Sequence, residues 1–154
     1  ARVLDGLGFR YYWVTQGLTE KDLLYKPNND ARTSRETIEH IYRLSKVIVN
    51  STMKKPNMQT SENEDLSFDQ IREITLRNIK TAADILRYST DVSQYKVVFK
   101  SDNGSNEFPF WNQLNGPIAD AIWHCGQIVL MRRSSGNPFT KNVSLFHGTI
   151  KNKS

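Results

Sequence analysis

Apolar residues recur at intervals of three and four in four segments of this chain, which is the spacing of one face of an α-helix. The longest stripe lies in the third segment and comprises Ile71, Ile74, Ile79, Ala82, Ile85 and Leu86. The first comprises Leu4, Leu7, Tyr11, Val14 and Leu18, and the second Ile38, Ile41, Leu44, Val47 and Ile48. The fourth follows Pro117. Helices with such stripes bury them by packing around a common core.

Residues that start and stop helices stand at the ends of these segments. Thr33, followed by Glu36 three residues later, predicts a capping box at the start of the second helix. Ser67 predicts the N-cap of the third helix. Pro117 fits the first turn of the fourth helix, where a missing N–H leaves no intrahelical hydrogen bond unmade. Gly136 is a stop signal after that helix.

The segments between the helices also carry signals. Residues 53–65 are predicted to form a polar loop. Residues 97–99 predict a short strand and the Asn103-Gly104 dipeptide predicts a turn, so we expect a small hairpin before the last helix. The expected fold is all-α: a single-domain antiparallel four-helix bundle over residues 1–154, with long crossovers and this hairpin-like excursion.

The positive charge of the chain is concentrated at its C-terminal end. Five of the 21 Lys and Arg residues, and none of the 16 Asp and Glu residues, lie within residues 132–154. The remaining residues carry 16 groups of each sign. Because nucleic-acid-binding domains usually show a basic stripe along a helix or face, we do not expect nucleic acid as a partner.

The sequence lacks the marks of secretion and of membrane insertion. No apolar run is longer than four residues, which predicts neither a membrane span nor a signal-peptide core. The single cysteine, Cys125, excludes an intrachain disulfide. A domain of this length buries roughly 70% of its unfolded surface. We therefore expect a soluble, cytoplasmic protein with an ordinary core.

Asp120 and His124 stand four residues apart on the expected fourth helix, so their side chains leave the same face. His40 lies on the inward face of the second helix, with Leu44 and Val47 at +4 and +7. If these helices are neighbours, two imidazoles and one carboxylate meet, which is a donor set that suits a divalent first-row metal ion. Three protein ligands leave a position open, as in catalytic sites. A hydrogen-bonded polar group within the core is the simpler interpretation.

The same residues resemble a family signature. The run DAIWHCGQI at residues 120–128 is similar to the His-x-x-x-His and Gly-Gln-Ile pattern in the last helix of the DinB-like (DinB/YfiT) family. The Glu-His-Ile run at residues 39–41 is similar to that family's first ligand element. The resemblance implies a four-helix bundle whose metal ligands are His40, Asp120 and His124. Asp120 stands where the family commonly has His, and a carboxylate there favours harder metal ions.

The resemblance also implies a function. It implies a metal-dependent enzyme with thiol S-transferase or hydrolase chemistry, acting on a small molecule such as a low-molecular-weight thiol. Zn or Ni is the expected divalent ion, and Fe or Mn also fits the donor set. The alternative is a non-catalytic helical bundle, acting as a binding or dimerisation module with an empty or degenerate site.

The fourth helix carries a second apolar face, about 140–200° around the helix from Asp120. It is formed by Ile118, Ile122, Cys125 and Val129. A helix that is apolar on two sides is buried on both, so the pattern predicts a homodimer that covers this face. Gln127 lies on the same side of the helix as Asp120, where it either hydrogen-bonds a ligand or bridges two helices.

Overall fold

The computed structural model describes residues 1–58 and 65–151 and is mostly helical. Its helices are α1 (Arg2–Thr15), α2 (Glu20–Leu24), α3 (Ser34–Thr52), α4 (Phe68–Arg87), α5 (Phe110–Gln113) and α6 (Ala119–Ser134). Its strands are β1 (Asn57–Met58), β2 (Val97–Ser101), β3 (Gly104–Phe108), β4 (Val143–Ser144) and β5 (Thr149–Ile150). Within these described ranges, no helix combines the length and the apolar character needed to cross a membrane.

The long helices α1, α3, α4 and α6 surround one apolar core. α1 packs on α4 and α6, and α3 packs on the same two helices. The predicted stripes supply much of this core, including Leu4, Leu7, Tyr11, Ile38, Ile41, Ile71, Ile79, Ala82 and Leu86. The prediction of a predominantly helical protein is therefore confirmed. The protein is not all-α, because it also contains two small sheets.

The long helices do not all run antiparallel. α1 and α4 do, since Asp5 near the start of α1 pairs with Arg87 at the end of α4. α3 and α4 are parallel: Arg35, in the first turn of α3, donates to the carbonyl of Leu66, just before α4, at 2.5 Å. The predicted antiparallel arrangement is wrong for this pair. A helix of 19 residues is about 28 Å long, and the residues 53–67 can span about 50 Å, enough to return to the same end.

Both predicted N-caps are present. The hydroxyl of Thr33 accepts from the N–H of Glu36 at 3.1 Å, and the Glu36 carboxylate accepts from the N–H of Thr33 at 2.7 Å. Ser67 and Gln70 make the same reciprocal pair at the start of α4. Each capping box provides hydrogen-bond acceptors for two backbone N–H groups that have no partner within the helix. α3 and α4 therefore begin at the predicted residues.

The predicted hairpin is confirmed as β2 and β3, which pair in antiparallel register. β1 joins the other side of β2 in parallel register. The polar-loop prediction is wrong at this strand: Asn57 is 9% exposed, and its amide donates to the carbonyl of Val98 at 3.0 Å. The part of that prediction at residues 59–64 lies outside the described residues.

The last helix begins differently from the prediction. Helical structure starts at Phe110 rather than at Pro117, and Pro117 lies within a π-helical turn at Leu114–Ile118. Gly116 has a non-helical φ of −91° and ψ of −106°, so the run is kinked before α6. The proline explains the kink, because it removes an N–H and its ring clashes with the preceding turn. The predicted stop at Gly136 is confirmed by its φ of 99°.

Candidate metal centre

α3 and α6 are antiparallel neighbours, and together they position the three predicted ligands. The hydroxyl of Ser34, at the start of α3, lies 3.4 Å from the sulfur of Met131, near the end of α6. His40 lies further along α3, whereas Asp120 and His124 lie one turn apart near the start of α6. Antiparallel packing therefore brings the three side chains to one place.

The three side chains meet at the carboxylate of Asp120. Nε2 of His40 lies 3.1 Å from Oδ2, and Nε2 of His124 lies 3.3 Å from Oδ1. The ring centroids of the two histidines are 4.7 Å apart, and the angle between the ring planes is 89°. One ligand atom from each residue lies within 4.8 Å of the others. Ligands about 2.1 Å from a tetrahedral zinc are roughly 3.4 Å apart, so this spacing fits a three-ligand site.

Gln127 determines which nitrogen of His124 carries a proton. Its Oε1 lies 2.6 Å from Nδ1 of His124. Because an amide oxygen only accepts hydrogen bonds, Nδ1 is protonated and donates to it. In the neutral ring, Nε2 then presents its lone pair to Asp120. A hydrogen bond that orients a histidine in this way is typical of metal-binding histidines.

In the contact between His124 and Asp120, two hydrogen-bond acceptors face each other. In the neutral ring, the Nε2 lone pair faces a carboxylate oxygen 3.3 Å away, and the two repel unless a cation lies between them. A divalent ion relieves this repulsion, and the carboxylate offsets part of its charge. A second proton on His124 relieves it too, giving an ion pair with Asp120. The donor set thus fits a metal ion, with the ion pair as the alternative.

The centre is half-buried. The exposed fraction of the side chain is 14% for His124, 25% for His40 and 38% for Asp120. Burial is the main cause that lowers the pKa of His40, and the charges of His124 and Arg32 act in the same direction, although the hydrogen bond with Asp120 opposes them. A lowered pKa favours the neutral imidazole, which is the form that binds a metal.

A cleft of about 380 Å³ adjoins the centre. His124, Gln127, Leu130 and Met131 line it from α6, and Arg32 lines it from the connection between α2 and α3. Its size lies within the range of small-molecule sites, roughly 300–1,000 Å³. No sequence pattern points to Arg32, because this residue lies in a connection and reaches the cleft only through the fold.

A second, larger cavity of about 1330 Å³ lies elsewhere on α3, against β2 and β3. Met58 and Asp65, which flank residues 59–64, are part of its lining. None of the three candidate ligands lines this cavity. Of these two cavities, only the smaller is lined by a candidate ligand, His124.

The second apolar face of α6 is buried within the chain itself. Ile118 and Cys125 are 1% and 2% exposed, and Ile122 and Val129 pack partly against the same core. This face is covered without a second copy, so it lends no support to a homodimer, which stays a prediction. Burial also raises the pKa of the Cys125 thiol to about 12, which makes this residue an inert part of the core.

No protein-family model matches this chain, and neither does any curated protein or solved structure. Membership of the DinB-like family therefore stays a prediction. The centre brings together three side chains that can hold one divalent ion beside a cleft of small-molecule size. Chemically, such an arrangement can activate a bound small molecule.

Proposed function

We propose that this chain is a DinB-like four-helix bundle that acts as a metal-dependent enzyme on a small molecule. His40, Asp120 and His124 hold one divalent ion, with Zn or Ni favoured and Fe or Mn also accommodated. The observation that carries the proposal is the 3.3 Å contact of His124 Nε2 with Asp120 Oδ1. Gln127 accepts from the other ring nitrogen, so in the neutral ring a metal ion bound between Nε2 and Asp120 would relieve the repulsion between them.

The proposed reaction is thiol S-transfer or hydrolysis, with a low-molecular-weight thiol as the substrate of the transfer. A divalent ion supplies Lewis-acid chemistry, since it polarises a substrate or lowers the pKa of a thiol or a water molecule. The chain's own residues orient the site. Gln127 fixes the ring of His124, and Asp120 lies between the two imidazoles. The adjoining cleft positions the substrate against His124.

Metal content and turnover should depend on the same residues. Protein purified without added ions is tested for bound metal by mass spectrometry, and for turnover with a thiol plus an electrophile and with ester substrates. His40→Ala is expected to remove both metal and turnover. His147→Ala is the matched control, because His147 is exposed in the C-terminal segment and lies outside the centre. Turnover that survives His40→Ala would contradict a metal-dependent reaction.

The alternative function is that of a non-catalytic binding module. Trp123 and Leu130 favour it, because they are apolar side chains on α6 that are 71% and 63% exposed. Large exposed aromatic residues are enriched at protein interfaces. Stoichiometric metal without turnover on any thiol or ester, together with a partner lost on Trp123→Ala, would favour this module over the enzyme.

A further inference from the structure

The cleft beside the candidate metal centre contains a guanidinium group, that of Arg32. Arg32 is exposed, and within residues 1–58 and 65–151 its side chain makes no hydrogen bond and no ion pair. It is also the only Lys or Arg among the described residues that line the cleft. A guanidinium presents five N–H donors in a fork that matches a carboxylate.

The backbone that carries Arg32 is held on both sides. Upstream, Oδ1 of Asn28 accepts from the N–H groups of Asp30 and Ala31 at 3.0 Å and 2.9 Å. Downstream, Thr33 caps α3. The main chain at Arg32 is therefore fixed beside the cleft, and side-chain rotation alone lets the guanidinium meet a bound molecule.

Two acidic side chains on the neighbouring helices, those of Glu36 on α3 and Asp120 on α6, have other partners. The Glu36 carboxylate accepts from the N–H and the hydroxyl of Thr33 at 2.7 Å and 3.0 Å. Asp120 faces the two histidines of the centre. Within residues 1–58 and 65–151 no acidic side chain pairs with Arg32, so its guanidinium is open to an anion that enters the cleft.

The rest of the cleft wall is mainly apolar. It includes Pro27, Ala31, Leu130 and Met131. A hydrocarbon group gains roughly 25 cal/mol for each Å² of apolar surface that it buries against such a wall. A small inorganic anion would pair with Arg32 but leave this wall uncovered. The combination of one cation and an apolar wall therefore favours an organic anion.

We infer that the substrate of this site is a small organic carboxylate, whose carboxylate pairs with Arg32 while its hydrocarbon part packs against Leu130 and Met131. The inference rests on the proposed function, because it takes this cleft as the substrate site. Pairing at Arg32 directs the other end of the molecule towards His124, which lines the same cleft. Arg32 determines specificity and takes no part in the chemistry itself.

Binding of hexanoate, hexanol and inorganic phosphate to the full chain tests the inference. The chain has three histidines, so NMR of their ring C–H signals reports on His40 and His124, with His147 as an internal reference outside the centre. Hexanoate should shift the first two signals and leave the third unchanged, with or without zinc. It should bind about tenfold more tightly than hexanol or phosphate at low salt, because only it uses both the cation and the apolar wall.

Two kinds of variant make the test specific. Arg32→Ala and Arg32→Gln should each remove the preference for hexanoate over hexanol. Arg133→Ala is the matched control, since it removes an exposed arginine about 140° around α6 from Asp120 and should keep the preference. Equal hexanoate affinity in Arg32→Ala, Arg32→Gln and Arg133→Ala would overturn the inference. Phosphate or hexanol binding as tightly as hexanoate would overturn it too.

The outcome is separable from that of the metal proposal. Arg32-dependent binding of hexanoate to a protein that binds no zinc would support the carboxylate site and reject the metal centre. Zinc binding without any Arg32-dependent binding of hexanoate would support the metal centre and reject the carboxylate site.

Discussion

Oε1 of Gln127 lies 2.6 Å from Nδ1 of His124, while the other ring nitrogen faces Asp120 at 3.3 Å. The two residues are three apart on α6, so helix geometry alone brings them together. A partner of this kind raises the basicity of a ligating histidine and limits rotation of its ring. Gln127 therefore acts on the centre through His124 rather than by direct contact.

The first prediction concerns this hydrogen bond. Gln127→Leu removes the acceptor, so the affinity for zinc should fall about 10- to 100-fold, as for other residues that orient metal-binding histidines. Gln127→Glu keeps an acceptor at the same position and should retain tight binding. Competition with a chelating dye measures both affinities. Equal affinities of the wild type and Gln127→Leu would show that this bond does not support the centre.

The second prediction concerns Cys125. Its side chain is 2% exposed, and burial raises the pKa of its thiol to about 12. At pH 8 the thiol is therefore almost wholly protonated as well as inaccessible. An aromatic disulfide reagent should react with one thiol per chain only after the protein is unfolded in denaturant. Rapid labelling of the folded protein at pH 8 would contradict this buried position.

A buried carboxylate, that of Asp22, ties the short helix α2 to the end of α6. Asp22 is 1% exposed and accepts from the hydroxyl of Ser135, from the Asn137 amide at 2.7 Å, and from the N–H of Thr19 at 2.8 Å. Burial by itself raises the pKa of Asp22. The hydrogen bonds from Asn137, Ser135 and Thr19 together outweigh burial and hold that pKa well below its usual range.

The third prediction follows from the direction of this shift. Because the folded-state pKa of Asp22 lies below its unfolded value of about 4, the ionised group stabilises the folded state above that pH. This stabilisation is lost progressively as the pH falls below about 4. Asp22→Asn should lower the free energy of unfolding at pH 7 by about 1–3 kcal/mol and weaken its dependence on acid. Urea unfolding of the wild type and of Asp22→Asn between pH 7 and pH 3 measures the free energy of unfolding and its pH dependence. Identical pH dependence in the wild type and in Asp22→Asn would contradict this prediction.

The parts of the fold that could be predicted depend on local signals. The apolar stripes and the caps at Thr33 and Ser67 involve residues only a few positions apart, so the sequence alone contains them. The three candidate ligands depend on local signals of the same kind. Asp120 and His124 share a helix face, and His40 lies on the inward face of α3, so neighbouring helices are enough to bring them together.

The parts that could not be predicted depend on contacts between distant segments. The parallel packing of α3 and α4 becomes visible only in contacts such as that of Arg35 with Leu66. Arg132 lies in the last turn of α6, yet it is 4% exposed and donates to the carbonyl of Val14 in α1 at 2.9 Å, a contact that no local pattern predicts. Arg32 reaches the cleft from a connection that has no periodic pattern.

The fourth prediction concerns the carboxylate at position 120. Asp120→His places a third imidazole near those of His40 and His124, and it should keep stoichiometric zinc because imidazole is an equally suitable ligand. Asp120→Asn has nearly the same shape but no charge, and it should lose most of the bound metal. Metal analysis after dialysis measures both. Full zinc content in Asp120→Asn would show that the carboxylate is not a ligand.

Metal analysis of the wild-type protein, purified without added ions and then offered zinc, tests the central claim most directly. We expect close to one divalent ion per chain, a content near background in His40→Ala and His124→Ala, and an unchanged content in His147→Ala. A chelator should lower the Tm of the wild type but not that of His40→Ala, because bound metal stabilises only the folded state. The absence of stoichiometric metal from the wild type, together with a Tm that the chelator leaves unchanged, would contradict the account.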